Sequence, residues 1–364
     1  MRIGIDGRAL LGARTGIGRY VYELCRQLDD LLPEAEFFVY SNNAVELPVA
    51  SHRWKLVCDA HPLAKYMNPV IWLKLRCGAF CSADNLDIFW GTNTFLPCFL
   101  KTPRTVTTVY DLVYQVAPES MPFRRRFAYK LFFGHDIKRA DGITTISHGT
   151  ADRLFQQSGR RTNAVVSPAV DSQFKPRTIT EIKTYLDRYD ITTPYILSVA
   201  TKEPRKNIDL LIQAFLDLKK NRKIPQHKLV LVGGKGWKDK RLTSLIGATQ
   251  RNDVIALGYL PDAEIPFIYA GADLFVFPSK YEGFGMPVLE ARACGTRVVT
   301  SDIPELREAG GKDAIYIQPT LDGIRQGILA GLSQEKRSQS LKDPLPSWEV
   351  SARRLAEVLS GKVL

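Results

Sequence analysis

Short runs of apolar residues alternate along the chain with longer segments in which apolar residues recur every three or four positions. The segment that begins at Ile17 is typical, because Tyr20, Val21, Leu24 and Leu28 follow it at helical spacing. The apolar runs are short and bulky, as expected of strands buried in a parallel sheet. In the first half of the chain the pattern predicts strands at residues 2–6, 36–40, 54–57, 86–90, 105–109 and 142–146, and helices at residues 17–28, 68–81, 123–139 and 148–157.

A second series of the same kind follows a break in the pattern. Residues 164–194 are polar and marked by prolines, and we place a domain boundary there, which gives domains of residues 1–172 and 173–346. Strand–helix alternation implies mostly parallel sheets covered on both faces, so the expected fold is α/β, with two doubly wound, Rossmann-like domains. The second series predicts strands at residues 195–200, 228–232, 253–257, 273–277, 297–300 and 314–317, with helices between them and a last helix near residues 347–361.

Composition and charge narrow the possible partners. The 364 residues carry a net charge of +12, which is spread along the chain rather than concentrated in a tail. Such an excess can serve nucleic acid, an anionic membrane surface or an anionic substrate, and the sequence has no nucleic-acid-binding motif, which favours the last two. No apolar run approaches the ~20 residues of a spanning helix, the chain begins directly with a strand, and its six cysteines form no framework. We therefore expect a cytoplasmic protein with reduced thiols.

The strongest candidate for chemistry is the segment from Glu282 to Glu290. It follows the apolar run at residues 273–277, contains glycines, and places Pro287 where a helix should begin. A strand, a glycine-bearing loop and a helix N-terminus are expected there at the carboxyl edge of a sheet, where open α/β sheets bind ligands and free N–H groups attract phosphate. The two carboxylates could hold a hydroxyl-rich ligand. The alternative is a solvated loop glutamate followed by an ordinary helix-surface glutamate.

Two cations are expected at the carboxyl edge of the first strand of the second domain. Arg205 and Lys206 follow the run at residues 195–200. They could neutralise a nucleotide diphosphate, arginine through a forked contact and lysine as a point charge. The alternative is a solvated basic turn. Asn207 comes next and is predicted to cap the following helix.

The residues from Glu282 to Glu290 also resemble the E-x7-E signature of family 4 retaining glycosyltransferases, with its G-F-G-x-P-x-x-E interior. The resemblance covers most of the chain, from residue 16 to residue 319. It implies the GT-B architecture, in which two Rossmann-like lobes face each other across a cleft. It also implies that the C-terminal helix, residues 347–361 here, packs back onto the first lobe.

The opening residues 2–8 and 15–19 are most similar to bacterial mannosyl- and rhamnosyltransferases of surface-polysaccharide assembly. The implied activity is retaining, metal-independent transfer of a hexose, such as mannose or rhamnose, from a nucleotide diphosphate sugar to a polysaccharide or lipid-linked oligosaccharide. GDP-mannose or a related GDP-deoxyhexose is the first expected donor, and UDP- and dTDP-sugars stay open. The plausible loops contain no D-x-D metal motif, so neither a metal nor another cofactor is expected.

The resemblance implies roles for individual residues. Arg205 and Lys206 would stabilise the leaving diphosphate, Glu282 and the backbone N–H groups of residues 284–287 would hold sugar hydroxyls, and Glu290 would bind the ribose. The catalytic residues implied in this way are Glu282, Arg205, Lys206 and Asp111. The donor-binding residues are Gly16, Gly18, Arg205, Lys206, Tyr259, Leu260, Glu282, Gly283, Phe284, Gly285, Met286, Pro287, Leu289 and Glu290.

Three further segments receive roles from the same resemblance. Residues 15–19 resemble a glycine loop that lies against the donor diphosphate and the acceptor, although a plain turn would have the same sequence. Residues 258–262 resemble a turn that contacts the nucleotide base, the alternative being a capped strand exit. Tyr110 and Asp111, on the acceptor side, depart from the family, which often has histidine before the aspartate. No histidine base is therefore assigned, and Asp111 could either orient a sugar hydroxyl or cap a turn.

Residues 122–133 mix cations with aromatic residues. Such a segment can lie on an anionic leaflet, or it can form an amphipathic helix packed on its own sheet. A lipid-linked acceptor would make a peripheral location on the inner face of the cytoplasmic membrane natural. Two other functions stay open, a non-catalytic nucleotide-sugar-binding component of a polysaccharide assembly complex and a nucleotide-sugar epimerase of the same fold. Nucleic acid is not an expected partner.

Overall fold

The computed structural model describes residues 1–12, 16–201, 203–234, 253–334 and 341–363. The chain divides into two compact units. Unit 1 consists of Met1–Pro168 and Pro346–Leu364, and unit 2 of Ala169–Leu345. Each unit contains a parallel sheet whose strands alternate with helices along the chain, so the predicted α/β class with two doubly wound domains is confirmed.

The sheet of unit 1 has seven parallel strands in the order β3-β2-β1-β4-β5-β6-β7. Its central strands are buried almost completely, which explains their continuous apolar character. The short seventh strand was not predicted, because two residues carry no readable pattern. The strands are β1 (Arg2–Asp6), β2 (Glu36–Ser41), β3 (Trp54–Cys58), β4 (Ile88–Gly91), β5 (Arg104–Val109), β6 (Gly142–Thr145) and β7 (Ala164–Val165).

One predicted helix of unit 1 is broken into three pieces. The sequence predicts a single helix over residues 68–81, but a π-helical turn, Leu73–Cys77, separates two α-helical pieces. The wider turn allows the consecutive residues Trp72, Leu73 and Lys74 to be buried together, which an uninterrupted helix does not favour. The helices of this part of the chain are α1 (Gly16–Leu31), α2 (Pro69–Trp72), α3 (Gly78–Ala83), α4 (Val113–Val116), α5 (Phe123–Arg139) and α6 (His148–Ser158).

Asp59 holds this broken helix, and replacing it by asparagine is expected to lower the free energy of unfolding at neutral pH by about 2 kcal/mol. Its carboxylate accepts hydrogen bonds from Arg76 Nε at 2.6 Å and Trp72 Nε1 at 2.8 Å. The hydrogen bond from Arg76, partly opposed by burial, lowers the pKa of Asp59 to about 2. Because the folded-state pKa lies below the unfolded one, this stabilisation is complete above about pH 4 and disappears as the pH falls towards 2.

Urea unfolding of the wild type and of Asp59→Asn, compared near neutral pH and near pH 2, measures this contribution. The difference in unfolding free energy between the two proteins should shrink in acid, because protonated Asp59 no longer carries the charge that Arg76 contacts. A difference that stays constant over this pH range would contradict the assignment.

The sheet of unit 2 has six parallel strands in the order β10-β9-β8-β11-β12-β13. The order reverses between β8 and β11, which is the arrangement of a dinucleotide-binding sheet. The strands are β8 (Tyr195–Val199), β9 (Lys228–Val232), β10 (Val254–Gly258), β11 (Leu274–Phe277), β12 (Val298–Ser301) and β13 (Ile315–Ile317). The helices in the described part of this unit are α7 (Ile179–Arg188), α8 (Ile208–Lys220), α9 (Ile265–Gly271), α10 (Met286–Ala293), α11 (Pro304–Gly310) and α12 (Leu321–Ser333).

Helix α7 occupies the stretch that the sequence pattern marks only as a polar break. Its first turn carries a capping box, in which the Thr178 hydroxyl accepts from the backbone N–H of Glu181 and the Glu181 carboxylate accepts from the backbone N–H of Thr178. The T-x-x-E spacing is a readable start signal for a helix. The prolines before it and the polar composition concealed this helix.

The last helix, α13 (Trp348–Leu359), belongs to unit 1. It packs along α1, where the rings of Trp348 and Tyr20 meet edge to face with centroids 6.0 Å apart. The Ser351 hydroxyl donates to the carbonyl oxygen of Ser167 at 2.6 Å. Among the helices that the structure describes, none is long and apolar enough to span a bilayer.

Candidate active site

The candidate site of unit 2 lies where its strand order reverses. β8 and β11 are neighbours in the sheet, and the connections that follow them diverge to α8 and α10. The first connection contains a 3-10 turn, Pro204–Lys206, and the second contains residues 278–285. In doubly wound sheets the crevice at the carboxyl ends of two such strands is the usual ligand site.

Glu282, in the second connection, forms ion pairs with two cations of the first connection. The Lys206 ammonium contacts Glu282 Oε1 at 2.6 Å, and Arg205 Nη1 contacts Glu282 Oε2 at 3.1 Å. Glu282 is 7% exposed and Lys206 is 8% exposed, so this ion cluster is almost completely buried from solvent. The structure thus brings together the three residues to which the sequence assigns the diphosphate and the sugar, and Glu282 is not the solvated loop glutamate of the alternative interpretation.

Ser279 and Arg205 fix the geometry of the cluster. The Ser279 hydroxyl, fully buried, donates to Glu282 Oε1 at 2.6 Å. Arg205 Nη1 donates to the carbonyl oxygen of Tyr281 at 3.0 Å, and Arg205 Nε donates to Glu203 at 2.9 Å. No local sequence signal indicates a role for Ser279 or Glu203, because their contacts depend on how the two connections meet.

The cluster keeps Glu282 ionised. Burial by itself raises the pKa of Glu282, but the charges of Lys206 and Arg205 and the hydrogen bonds from Lys206 and Ser279 outweigh it, so the pKa lies below the usual value for glutamate. Burial lowers the pKa of Lys206, and the Glu282 carboxylate opposes that shift. The result is a pre-formed set of charges in a site with a low local dielectric constant, where each charge would act strongly on a bound ligand.

A glycine starts the helix that follows this loop. Gly285 has φ 114°, and a Cβ atom at this position would lie 2.5 Å from the Leu306 side chain. The helix begins at Met286, so Pro287 falls in its first turn, at the position where the sequence places the helix start. Since proline has no N–H, the backbone donors available near this end are those of residues 284–286.

Glu290 is held by a tyrosine that the sequence pattern did not indicate. The Tyr269 hydroxyl, on the fully buried side chain of α9, donates to Glu290 Oε2 at 2.9 Å. Burial and the adjacent Glu290 carboxylate raise the pKa of Tyr269 well above its usual value, so the hydroxyl stays a donor. Glu290 itself is half-buried, one turn into α10.

Other predicted donor residues differ in what they can offer. The side chains of Phe284 and Leu289 are buried in the core of unit 2, so only their backbones could reach a ligand. Leu260 is also buried, whereas Tyr259 is 73% exposed, after the carboxyl end of β10. Gly283, Met286 and Pro287 are half-buried in the loop and the first helical turn.

The predicted side-chain cap of α8 is wrong. Asn207 stands at the N-cap position, but its backbone is left-handed, with φ 60°, and its side chain makes no capping hydrogen bond. Its Nδ2 instead donates to the carbonyl oxygen of Pro319 at 3.0 Å, which ties α8 to the segment after β13. The tight 3-10 turn before it explains the difference, since it forces the left-handed conformation.

The remaining predicted residues belong to unit 1. Gly16 and Gly18 lie in the first turn of α1, Gly16 exposed and Gly18 buried, and Thr15 of the same motif lies outside the described residues. The buried Tyr110 hydroxyl donates to the carbonyl oxygen of Thr92 at 2.7 Å. Asp111 Oδ1 accepts from the backbone N–H of Val113 at 3.1 Å.

These contacts give Tyr110 and Asp111 local structural roles. Tyr110 packs edge to face on Tyr20, with ring centroids 5.4 Å apart. Asp111 forms the turn contact that is one of the two roles expected for it, with Oδ1 accepting from Val113. Within the described ranges, no three His, Cys, Asp or Glu side chains come together as a possible metal site.

Comparison with known proteins places this geometry in a family. The family description "Glycosyl transferases group 1" matches residues 187–343. Over 361 residues the chain is 32% identical to O-antigen chain mannosyltransferase B of Escherichia coli. The aligned region covers 94% of this chain and 91% of the relative. It is 28% identical to the GDP-mannose-dependent alpha-(1-6)-phosphatidylinositol monomannoside mannosyltransferase of Mycolicibacterium smegmatis, over 61% of this chain and 63% of that protein.

The fold is shared with solved structures. WaaG, a glycosyltransferase involved in lipopolysaccharide biosynthesis, superimposes with a TM-score of 0.69 at 16% identity, covering 99% of this chain and 100% of WaaG. That likeness concerns the fold alone. The relationship to the E. coli protein extends over nearly the whole length of both chains, and the family match includes the whole Glu282 cluster. The chain therefore belongs to the group 1 glycosyl transferases, and it is a glycosyltransferase.

Proposed function

We propose that the chain transfers mannose from GDP-mannose to a growing surface polysaccharide or its lipid-linked precursor, with retention of the anomeric configuration. The observation that carries the proposal is the buried cluster of Glu282, Lys206 and Arg205 at the point where the strand order of unit 2 reverses. A site of this kind combines cations for a diphosphate with a carboxylate for hydroxyl groups. The names of the relatives from Escherichia coli and Mycolicibacterium smegmatis support mannose, and the second supports GDP.

Donor binding would reorganise the ion pairs within the cluster. In the structure Arg205 contacts both Glu203 and Glu282, and Lys206 contacts Glu282. A diphosphate would draw both cations, while sugar hydroxyls would donate to the Glu282 carboxylate that the cations partly release. Hydroxyl groups donate and carboxylates accept, so this exchange leaves no group of the cluster unpaired.

The transfer step itself needs a stabilised leaving group and a route for one proton. The bond between the anomeric carbon and the diphosphate oxygen breaks, and the acceptor oxygen bonds to that carbon on the same face. The acceptor proton passes to the departing phosphate oxygen, so no side-chain base is required. This agrees with Tyr110 standing where relatives often have histidine. Arg205, Lys206 and the N–H groups of residues 284–286 would stabilise the developing negative charge by preorganisation, without a metal ion.

The remaining contacts would set specificity. Glu290, oriented by Tyr269, would accept hydrogen bonds from the ribose hydroxyls. The turn of Tyr259 and Leu260 would contact the base, and the diphosphate contact of Gly16 and Gly18 stays a prediction from the sequence. Asp111, in the turn where it accepts from Val113, would orient an acceptor or donor hydroxyl.

A nucleotide screen tests the donor assignment. GDP is expected to raise the melting temperature of unit 2 by roughly 5–10 °C at a hundred times its Kd, since binding to the folded state alone adds about 2.7 kcal/mol. UDP, dTDP and ADP should have smaller effects. Incubation with GDP-mannose and a mannose-containing acceptor should release GDP and form a product whose anomeric configuration NMR can read.

Matched variants make the screen specific to the cluster. Lys206→Met should abolish most of the GDP response. Arg188→Gln removes an exposed arginine of the same unit, whose partner is Glu264, and should leave the response intact. If GDP binds but no sugar is transferred, the chain is a binding component or an epimerase, and the proposal fails. If UDP gives the largest shift, the proposed base is wrong.

A further inference from the structure

Helix α5 of unit 1 presents an apolar stripe to solvent. Phe123 is 73% exposed, Phe127 58% and Leu131 56%, and their spacing of four residues places them on one side of the helix. The opposite side carries the buried residues Tyr129, Phe133, Asp136 and Ile137. Packing of the helix on its own unit therefore accounts for the inner side only, and the exposed stripe needs another explanation.

Cations border the stripe. Residues 120–135 contain four arginines or lysines and no carboxylate. At 100° per residue, Arg124 and Lys130 lie on opposite edges of the stripe, and both are exposed. An apolar strip between positive edges is the pattern of a helix that lies in the interface of an anionic bilayer.

Two segments that contact α5 carry exposed apolar side chains of their own. Ile71, in α2, and Leu75, in the π-helical turn, are 49% and 59% exposed, and Phe99 is 71% exposed. These segments adjoin α5, because the Lys74 ammonium pairs with Asp136 and lies 4.5 Å from the centroid of the Phe132 ring.

The segment that carries Phe99 adjoins the same place. The backbone N–H of Cys98 donates to the carbonyl oxygen of Lys74 at 3.0 Å. These contacts lie on the inner side of α5, so the outer surface is defined by the helix alone. We call the exposed stripe and its bordering cations the apolar–basic surface: Phe123, Phe127 and Leu131, with Arg124 and Lys130.

We propose that the apolar–basic surface docks unit 1 onto an anionic lipid bilayer. The charge pattern favours lipid over a second copy of the chain, because a two-fold contact would press this surface against itself and bring its cations together without a carboxylate. It favours lipid over nucleic acid, because exposed phenylalanine and leucine would be left in water on a phosphate backbone. The inference deepens the proposed function, since a bilayer is where a lipid-linked acceptor would be found, but lipid binding is measurable without any transfer reaction.

Vesicle co-sedimentation of the full chain tests the proposal. The wild type should bind vesicles made of equal parts phosphatidylglycerol and phosphatidylcholine, and should bind pure phosphatidylcholine vesicles weakly. Arg124→Gln with Lys130→Gln should weaken binding to the anionic vesicles roughly twenty- to thirtyfold, from about fivefold for each cation near an anionic surface. Phe127→Ser with Leu131→Ser should weaken it at least as much, since those side chains would enter the acyl boundary.

Matched controls distinguish vesicle binding by this surface from nonspecific binding by other exposed side chains. Lys183→Gln with Lys220→Gln removes two exposed cations from unit 2, and Ile179→Ser removes an apolar side chain that is 85% exposed there. Both should leave vesicle binding unchanged. All variants should melt as the wild type does and should transfer sugar to a water-soluble acceptor at the wild-type rate, so a failure of the proposed function would be seen separately.

Two results would overturn the proposal. One is a wild-type chain that does not sediment with the anionic vesicles. The other is light scattering that shows a dimer of the wild type and a monomer of Phe127→Ser with Leu131→Ser, because the stripe would then be an interface between copies.

Discussion

Replacing Glu282 by glutamine is expected to lower kcat/KM for sugar transfer by about a hundredfold or more, by analogy with the loss of charge-assisted contacts in other active sites. The amide keeps the size of the side chain but offers one acceptor oxygen and no charge. Lys206 and Arg205 would both lose the carboxylate that they contact at 2.6 and 3.1 Å. The sugar hydroxyls would lose their charged acceptor, and the cations would no longer be held at the proposed diphosphate position.

Glu203→Gln is the matched control for this prediction. Glu203 is the other carboxylate partner of Arg205, at 2.9 Å, and no sugar contact is proposed for it. Its loss should change kcat/KM by only about threefold, in line with a partly exposed ion pair. A GDP-induced rise in melting temperature would show that Glu282→Gln is still folded. Wild-type kcat/KM in that variant would mean that Glu282 is only a structural counter-ion of Lys206.

Replacing Gly233 by alanine is expected to destabilise unit 2 by at least about 3 kcal/mol, or roughly 6–12 °C in melting temperature. Gly233 follows β9 with φ 140°, and a Cβ atom there would lie 2.0 Å from the carbonyl oxygen of Ala200. Backbone cannot yield as a flexible side chain can, so β8 and β9 would have to separate where they end. The Gly233 N–H also donates to the carbonyl oxygen of Gly258 at 2.7 Å, so β10 would be disturbed too.

The adjacent glycine provides the comparison. A Cβ atom at Gly234 would meet no atom of the described residues within 4 Å, so Gly234→Ala should melt within about a degree of the wild type. Differential scanning calorimetry of both variants measures the contrast. Because Gly233 lines a small cavity beside the Arg205 connection with Ser198 and Ala200, Gly233→Ala should also weaken nucleotide binding. Equal melting temperatures for the two variants would contradict the argument.

The strands and the two loops of the donor site could be predicted because their signals are local. Buried parallel strands are continuous apolar runs, and the ends of most of them fall within two residues of the pattern. Gly285 and Pro287 mark the start of α10 by their backbone preferences alone. The sequence therefore indicated where Glu282 and Arg205 would lie relative to their own strands.

The contacts that organise the site could not be predicted, because they join residues far apart in the chain. Lys206 and Glu282 are separated by 76 positions, and Tyr269 and Glu290 by 21 across a strand and a loop. Nothing in a local pattern tells which side chain will meet a given carboxylate. The cap at Asn207 failed for a related reason, since the turn before it determined its backbone and a distant carbonyl took its amide.

Unit 1 is built from both ends of the chain, and this has a consequence for synthesis on the ribosome. Helix α13 packs along α1, where Trp348 meets the buried Tyr20. The 177 residues of Ala169–Leu345 (345 − 168) must be translated between the two segments, which takes roughly 10–40 s at ordinary elongation rates. During that time the surface of α1 that α13 will cover stays exposed in the nascent first unit, where chaperones can bind it. The second unit, continuous in sequence, can mature first, and a stop codon shortly before Trp348 would damage the opposite end of the protein.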